Sequence, residues 1–340
     1  MTNAAFAHWI LQARRFLARL CSSLGAWLAR GIETGRSPFV DANLGNAPSA
    51  PPIALYPIEH VILTDAVVQT LFKQFAAHRR TDRGEEETGW VLMGWREERM
   101  AVVTAALPAG AGREAGVAHV RFDVNTQALS SRILRQTDRR LTIVGIVHTH
   151  PGSLRHPSRG DYEGDRLWVR LLRGREGVFG IGTADGAHDE AWSQPKTHMM
   201  LQGGLRLTWY ALGEHDRNYR PLAVEVVPGD DLAAPLQPIW PIIEKHAEPL
   251  EALCQQLARL RFFIDAKEAS LWLVIPTAYE AQLGVKLLQQ AIAFRRARGE
   301  WQQPLFPDDP AWRPLEVQAQ RIDQGIFAAL AEQAQHEGHL

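Results

Sequence analysis

Cysteine is nearly absent from this 340-residue chain, which has only Cys21 and Cys254, each in a stretch that reads as a helix. Two thiols so far apart give no disulfide framework and cannot by themselves build a structural zinc site, so a reducing, cytoplasmic setting is expected. Net charge is lacking as well. With 37 Lys and Arg against 38 Asp and Glu, the formal charge is −1, which removes any global pull toward nucleic acid. No run of roughly 18 uninterrupted apolar residues occurs, so a membrane-spanning helix is not expected. Internal repeats are missing too. What the chain does have is a hydrophobic fraction of 46%, the composition of a globular protein able to bury one large core or two ordinary ones.

The N-terminus is patterned. Phe6, Trp9, Ile10, Ala13, Phe16, Leu17, Leu20, Leu24, Trp27 and Leu28 recur at helical spacing and fall in a stripe roughly 120° wide, with Arg15, Arg19 and Arg30 away from it. Arg14, Arg15 and Arg19 interrupt the apolar run that a secretory signal needs. Residues 1–34 therefore read as a basic amphipathic helix, packing on this protein or a partner through residues 6–30; a membrane-surface anchor is the competing reading. Residues 35–57, rich in Pro, Gly and small polar residues, read as a linker.

Strands mixed with helices over residues 58–228 predict one α/β domain. Glu59 to Leu63 reads as a strand. Thr64 or Asp65 caps a helix whose apolar face carries Val67, Val68, Leu71, Phe72 and Phe75. A charged loop with Arg79, Arg80 and Arg83, its charges compensated by neighbouring glutamates, leads to strands at 90–95 and 100–107. A Gly/Ala-rich turn, strand-like residues 117–122 and a helix near 126–138 follow. The β-branched run 141–148 reads as a central strand, and Asp161 opens a helix with Leu167, Trp168, Val169, Leu171 and Leu172 inside. Further strands are expected at 179–183 and 199–212. After a Pro-rich break at 228–241, residues 229–340 read as a C-terminal accessory unit, a small α/β or helical appendage. Its expected elements are helices near 242–261, 278–298 and 315–333 and a strand at 271–275, with its Trp and Phe residues in the core.

Chemistry concentrates in His148-Thr149-His150, then Ser158 and Asp161. Side chains alternate along a strand, so the two histidines at its end point to one face and can reach one metal. The Pro151–Gly160 loop returns Asp161 as a third ligand, which leaves a fourth position open for water, as in catalytic zinc sites. Zinc lowers the pKa of such a water to roughly 7. A carboxylate outside the ligand set is needed as the base, and Glu85, Glu86 and Glu87 are chemically equal candidates. Ser158 can donate its hydroxyl to an oxyanion. His156 in the loop reads as solvent-exposed or substrate-side, His119 as a structural residue in a strand away from the motif, and Asp165 as a helix-surface carboxylate.

An upstream Glu before a Gly-containing apolar strand, with His-x-His, seven residues, Ser, two residues and Asp, resembles the JAMM/MPN (JAB) metalloprotease family over roughly residues 58–212. The resemblance implies a mixed sheet flanked by helices, of the cytidine-deaminase-like kind. It also implies Glu87 as general base, since Glu87-Thr88-Gly89 before an apolar run looks like the family's first strand. His148, His150 and Asp161 become zinc ligands and Ser158 the oxyanion-side donor. The implied activity is that of a bacterial deubiquitinase-like peptidase, cutting the peptide or isopeptide bond at the C-terminus of a ubiquitin-like, β-grasp protein. Deconjugation, in company with ubiquitin-like activating and conjugating enzymes, competes with processing of a precursor such as a sulfur-carrier protein. One departure is Trp90, where bacterial members often carry glycine; the larger ring is expected to shape the substrate groove. A non-proteolytic scaffold and a RadC-like DNA-repair role are the other readings. The first usually goes with loss of a site residue, and none is lost here; the neutral charge and the absence of a helix-hairpin-helix signature weigh against the second.

Overall fold

Strand β1 (His60–Thr64) ends where Thr64 turns to cap helix α1 (Asp65–His78), its hydroxyl accepting the Val67 amide at 3.4 Å. Of the two residues able to cap, Thr64 does so. Val67, Val68, Leu71, Phe72 and Phe75 are all buried, as their spacing predicts. The computed structural model describes residues 55–336 apart from 153, 187–195, 258, 278–280, 299–302 and 320. The expected amphipathic helix and most of the linker lie outside the described residues. Among those described, no helix is long and apolar enough to cross a membrane.

A hairpin of β2 (Gly89–Glu97) and β3 (Met100–Pro108) lies beside β1. Gly94 marks the register shift between the two, where a Cβ would stand 1.7 Å from the Val102 carbonyl oxygen. The central strand β6 (Thr142–Thr149) pairs antiparallel with β2 and parallel with β7 (Glu176–Thr183). The sheet is completed by β8 (Met199–Gln202), β9 (Leu205–Gly213), β10 (Arg220–Pro221) and β11 (Ala223–Val227), in the order β10-β9-β7-β6-β2-β3-β1-β11 with β8 on β9. It is a mixed sheet flanked by helices, as expected. The run expected as one strand at 199–212 is a hairpin, β8–β9, turned by Gly203 and Gly204 at positive φ.

Helix α1 covers one face of this sheet, over Leu92, Val147, Val178 and Trp209. The other face, with Val91, Met93, Ile146 and Phe179, packs with residues of α2 (Val124–Thr137) and α3 (Arg159–Val169). The same core cluster continues without a break into helix α4 (Trp240–Gln256) and into the C-terminal sheet. Polar ties reinforce it. Arg132 of α2 grips Glu251 of α4 through two bonds of 2.5 and 3.2 Å, and Gln136 bonds both Leu260 and Phe262. The buried Asp231 carboxylate accepts the Ala106 and Ala233 amides, fastening the Pro-rich connection to β3.

The C-terminal elements depart from expectation. Residues 278–298, expected as a helix, contain two strands, β14 (Ala281–Leu287) and β15 (Ile292–Arg298). With β12 (Arg261–Asp265), β13 (Ser270–Pro276) and β16 (Arg313–Leu315) they form a five-stranded antiparallel sheet. Its turn, Leu288 to Ala291, contains no Gly, Pro, Asn or Asp, so Ala, Leu, Gln and Arg composition masks the alternation of Leu283, Val285 and Leu287. The last helix, α5 (Ile322–His336), begins later than predicted because Arg313–Leu315 is a strand. Trp240, Trp272, Trp312, Phe262 and Phe294 are core residues, whereas Phe306 is exposed.

Because one core runs through both sheets, a cavity in α4 should weaken the whole described unit. Leu250→Ala, at a fully buried site, is expected to cost about 2–5 kcal/mol. Urea unfolding followed by tryptophan fluorescence and by far-UV circular dichroism should give coincident, equally shifted transitions. Two separated transitions, only one of them shifted, would contradict a shared core.

Candidate metal centre

The end of β6 delivers His148 and His150 to one face. Helix α3 meets them through its first turn, where Ser158 is the N-cap and Asp161 the third helical residue of a capping box. The Ser158 hydroxyl accepts the Asp161 amide at 3.1 Å, and the Asp161 carboxylate accepts the Ser158 amide at 2.6 Å. That reciprocal pair aims the carboxylate. His148 Nε2 lies 3.2 Å from Asp161 Oδ1, His150 Nε2 lies 3.2 Å from Asp161 Oδ2, and the two Nε2 atoms are 3.2 Å apart. Bonds of about 2.0–2.1 Å to a tetrahedral zinc would separate ligand atoms by about 3.3 Å. The donor set therefore fits a metal ion, and these residues could hold one. His150 Nδ1 is engaged by the Leu154 carbonyl at 2.7 Å, which orients that ring.

The three neighbouring glutamates, chemically equal in sequence, are separated by structure. Glu85 pairs with Arg79 at 3.0 Å and Glu86 with Arg83 at 2.6 Å, the compensated loop expected from the sequence. Glu87 is 3% exposed. Its amide donates to the Gly116 carbonyl at 2.7 Å, while Thr88 and Thr149 exchange bonds that lock the start of β2 to the end of β6. Gly89 then stands opposite His148, and a Cβ there would meet the Val147 carbonyl oxygen at 2.6 Å and the Phe122 ring at 3.0 Å. This is a physical reason for glycine after Glu87-Thr88.

The electrostatics follow from burial and convergence. Burial raises the Glu87 carboxyl above its ordinary range, opposed by His148 and His150 and reinforced by Asp161. Burial also works against an ionised Asp161, but the imidazoles and the Ser158 amide outweigh it and hold that carboxyl well below the usual range. For His148 burial favours the neutral ring, yet the adjoining Asp161 carboxylate prevails and the net shift is upward.

Four expectations are corrected. Asp165 is no surface carboxylate: it is 4% exposed, and its Oδ2 accepts the Tyr219 hydroxyl at 2.7 Å. Spacing hid this, because Leu167 and Leu171, expected inside, are the exposed residues at 62% and 68%, so the helix is rotated toward its polar side around the site. His119 is exposed beside the hairpin of β4 (Glu114–Ala115) and β5 (Val120–Arg121), close enough for its charge to act on Glu87 rather than remote from the motif. Trp90 lines no groove; it is buried in the core under α1, with Nε1 bonded to Gln74 at 2.5 Å. His156 is exposed, as expected.

The family described as prokaryotic homologs of the JAB domain matches residues 68–194, a span that holds Glu87, His148, His150, Ser158 and Asp161. No curated protein matches the chain. A Desulfitobacterium hafniense protein solved in solution is similar at 15% identity, over 50% of this chain and 94% of that one, with a TM-score of 0.33.

Burial pushes the Asp165 carboxyl up to about 7, with His148 and the Tyr219 hydroxyl pulling the other way. Unfolded, an aspartate titrates near about 3.9. Its raised folded value thus contributes stability that is fully present below pH ~4 and is lost as pH rises toward ~7. In metal-free protein, Asp165→Asn should gain stability relative to wild type across that window, by a few kcal/mol on the order of 1.4 per pH unit, and then level off. Chemical denaturation at a series of pH values measures it; a pH-independent difference would refute the assignment.

Proposed function

We propose, from the match of residues 68–194 to the prokaryotic homologs of the JAB domain, that the chain is a zinc-dependent peptidase or isopeptidase of the JAB/MPN kind. The observation that carries this reading is the mutual 3.2 Å spacing of His148 Nε2, His150 Nε2 and the Asp161 carboxylate beside a buried Glu87. Zinc held by these residues would supply Lewis acidity and a water acidified to a pKa of about 7. Glu87 is the proton carrier. Its burial raises its affinity for a proton, so the carboxylate can take one from water and return it to the leaving amine. Ser158 gives its lone pair to the Asp161 amide and keeps its own proton, which it donates to the developing oxyanion.

The substrate we infer is the C-terminal tail of a ubiquitin-like, β-grasp protein, cut as a conjugate or a precursor. Exposed Val117 on the hairpin tied to Glu87, and exposed Leu154 in the loop tied to His150, offer apolar contacts to an extended tail. Such a tail alone makes few contacts, so a folded body must supply much of the positioning energy.

Glu87→Gln should leave zinc content unchanged and abolish hydrolysis, since an amide cannot shuttle a proton, whereas His148→Ala should lose the zinc. Elemental analysis beside an activity assay checks both; an active Glu87→Gln enzyme would remove the assigned base. On the full chain, kcat/KM should be far higher for a ubiquitin-like fusion than for its isolated tail peptide. Equal values would leave a general zinc peptidase and discard the ubiquitin-like substrate.

A further inference from the structure

A buried carboxylate that takes no part in the proposed hydrolysis lies one turn along α3 from Asp161. Residues at i and i+4 share a helix face, so Asp165 is carried on the side of α3 that presents Asp161 to the histidines. It lies close enough to His148 for the two to act on each other's charge. Its Oδ2 is fixed by the Tyr219 hydroxyl at 2.7 Å. Tyr219 is in turn braced edge-on by Tyr162, Phe179 and Tyr210, with ring centroids 6.0, 6.0 and 5.9 Å away. A buried carboxylate is costly, and an apolar residue of similar size would make a more stable protein. Tyr219 holds it without cancelling its charge.

The two imidazoles differ at their outer nitrogens. His150 has Nδ1 on the Leu154 carbonyl. His148 turns Nε2 to Asp161 and His150, which leaves Nδ1 to face away from the ligand group. A metal-ligating histidine almost always donates that second N–H to a carboxylate, a carbonyl or a water, which sets the tautomer and makes the ligating nitrogen more basic. We propose that Asp165, held by Tyr219, is the positioning carboxylate of His148, receiving its Nδ1–H through one bridging water and so turning the Nε2 lone pair to the metal. This inference rests on the metal centre proposed above.

The test is zinc affinity of the purified full chain, read by competition with a chromophoric chelator. Wild type should take up one zinc and His148→Ala should not. Asp165→Asn should bind 10–100-fold more weakly, the usual range for a lost outer partner, and Tyr219→Phe should weaken binding by a smaller factor. Glu163→Gln, at an exposed site on the same helix paired with Arg159, should match wild type. A purely structural role for Asp165 would lower the melting temperature of the metal-free protein; the proposal requires Asp165→Asn to be at least as stable there. It also requires the ¹⁵N shifts of His148 in that variant to report less Nδ1–H tautomer. Wild-type affinity in Asp165→Asn, with His148→Ala unable to bind, overturns the inference and leaves the metal centre standing. Failure of wild type to bind zinc removes both.

Discussion

Two imidazoles and a carboxylate crowded to 3.2 Å of one another are the constraint around which the domain is arranged. They come from separate pieces of backbone, the end of β6 and the first turn of α3, and neither piece is free to move. β6 lies between β2 and β7 in the sheet, and Thr88 and Thr149 clasp its end. The first turn of α3 is set by the Ser158–Asp161 capping box, in which both partners belong to the site. The cap that starts the helix is thus the device that aims the ligand, so Ser158 has a structural duty alongside any chemical one. Its loss would disturb Asp161 as well as remove a donor.

Holding such a cluster together costs stability, and the cost is visible in the charges. Asp161 is kept ionised by the histidines it faces and by the Ser158 amide, Glu87 is pushed toward its protonated form by burial, and Asp165 is buried with the Tyr219 hydroxyl as its partner. Cavities of charge like these are expected where function, rather than stability, selects the residue. Apolar packing compensates around them: Phe122, Val147, Phe179 and Ile181 are buried on the surrounding strands and loops. Large buried side chains surround the site, and the strand and capped helix that carry the three groups hold them at bonding distance against the cost of desolvation.

How much of this was legible beforehand depended on whether the signal was local. His148, His150, Ser158 and Asp161 sit within one strand, loop and helix start, and strand alternation with a capping pattern suffices to bring them together. Choosing Glu87 over Glu85 and Glu86 needed a resemblance, because the difference lies in Arg79, Arg83 and the threonine clasp. Asp165 and His119 were misplaced for a related reason. The burial of the first is decided by Tyr219, fifty-four residues away, and the position of the second by a hairpin bonded to Glu87. In helix α3, Leu167 is exposed while Asp165 is buried, because the part of its inner face nearest the histidines meets a polar centre, whereas Val169 still joins the core. In the C-terminal sheet the alternation was present, but a turn without glycine or proline joined two strands into an apparent helix.

The C-terminal elements bear on the site through contact, not merely through stability. Glu244 of α4 accepts the Gly112 amide at 3.2 Å, at the base of the β4–β5 hairpin. Arg83 and Arg113 tie that same segment to the loop before β2, with Arg113 reaching the Glu87 carbonyl at 3.4 Å. The hairpin then returns a carbonyl, that of Gly116, to the Glu87 amide. A contiguous run of hydrogen bonds therefore leads from α4 to the backbone of the buried glutamate. Since α4 is also locked to α2 by Arg132 and Glu251 and shares the core beneath β6, the base and the histidines are referenced to one rigid body. A base and a metal ligand set must hold their separation to a fraction of an ångström for a proton to pass between them and a substrate. Anchoring both to α2 and α4 meets that requirement more directly than two loops on a free-standing sheet could.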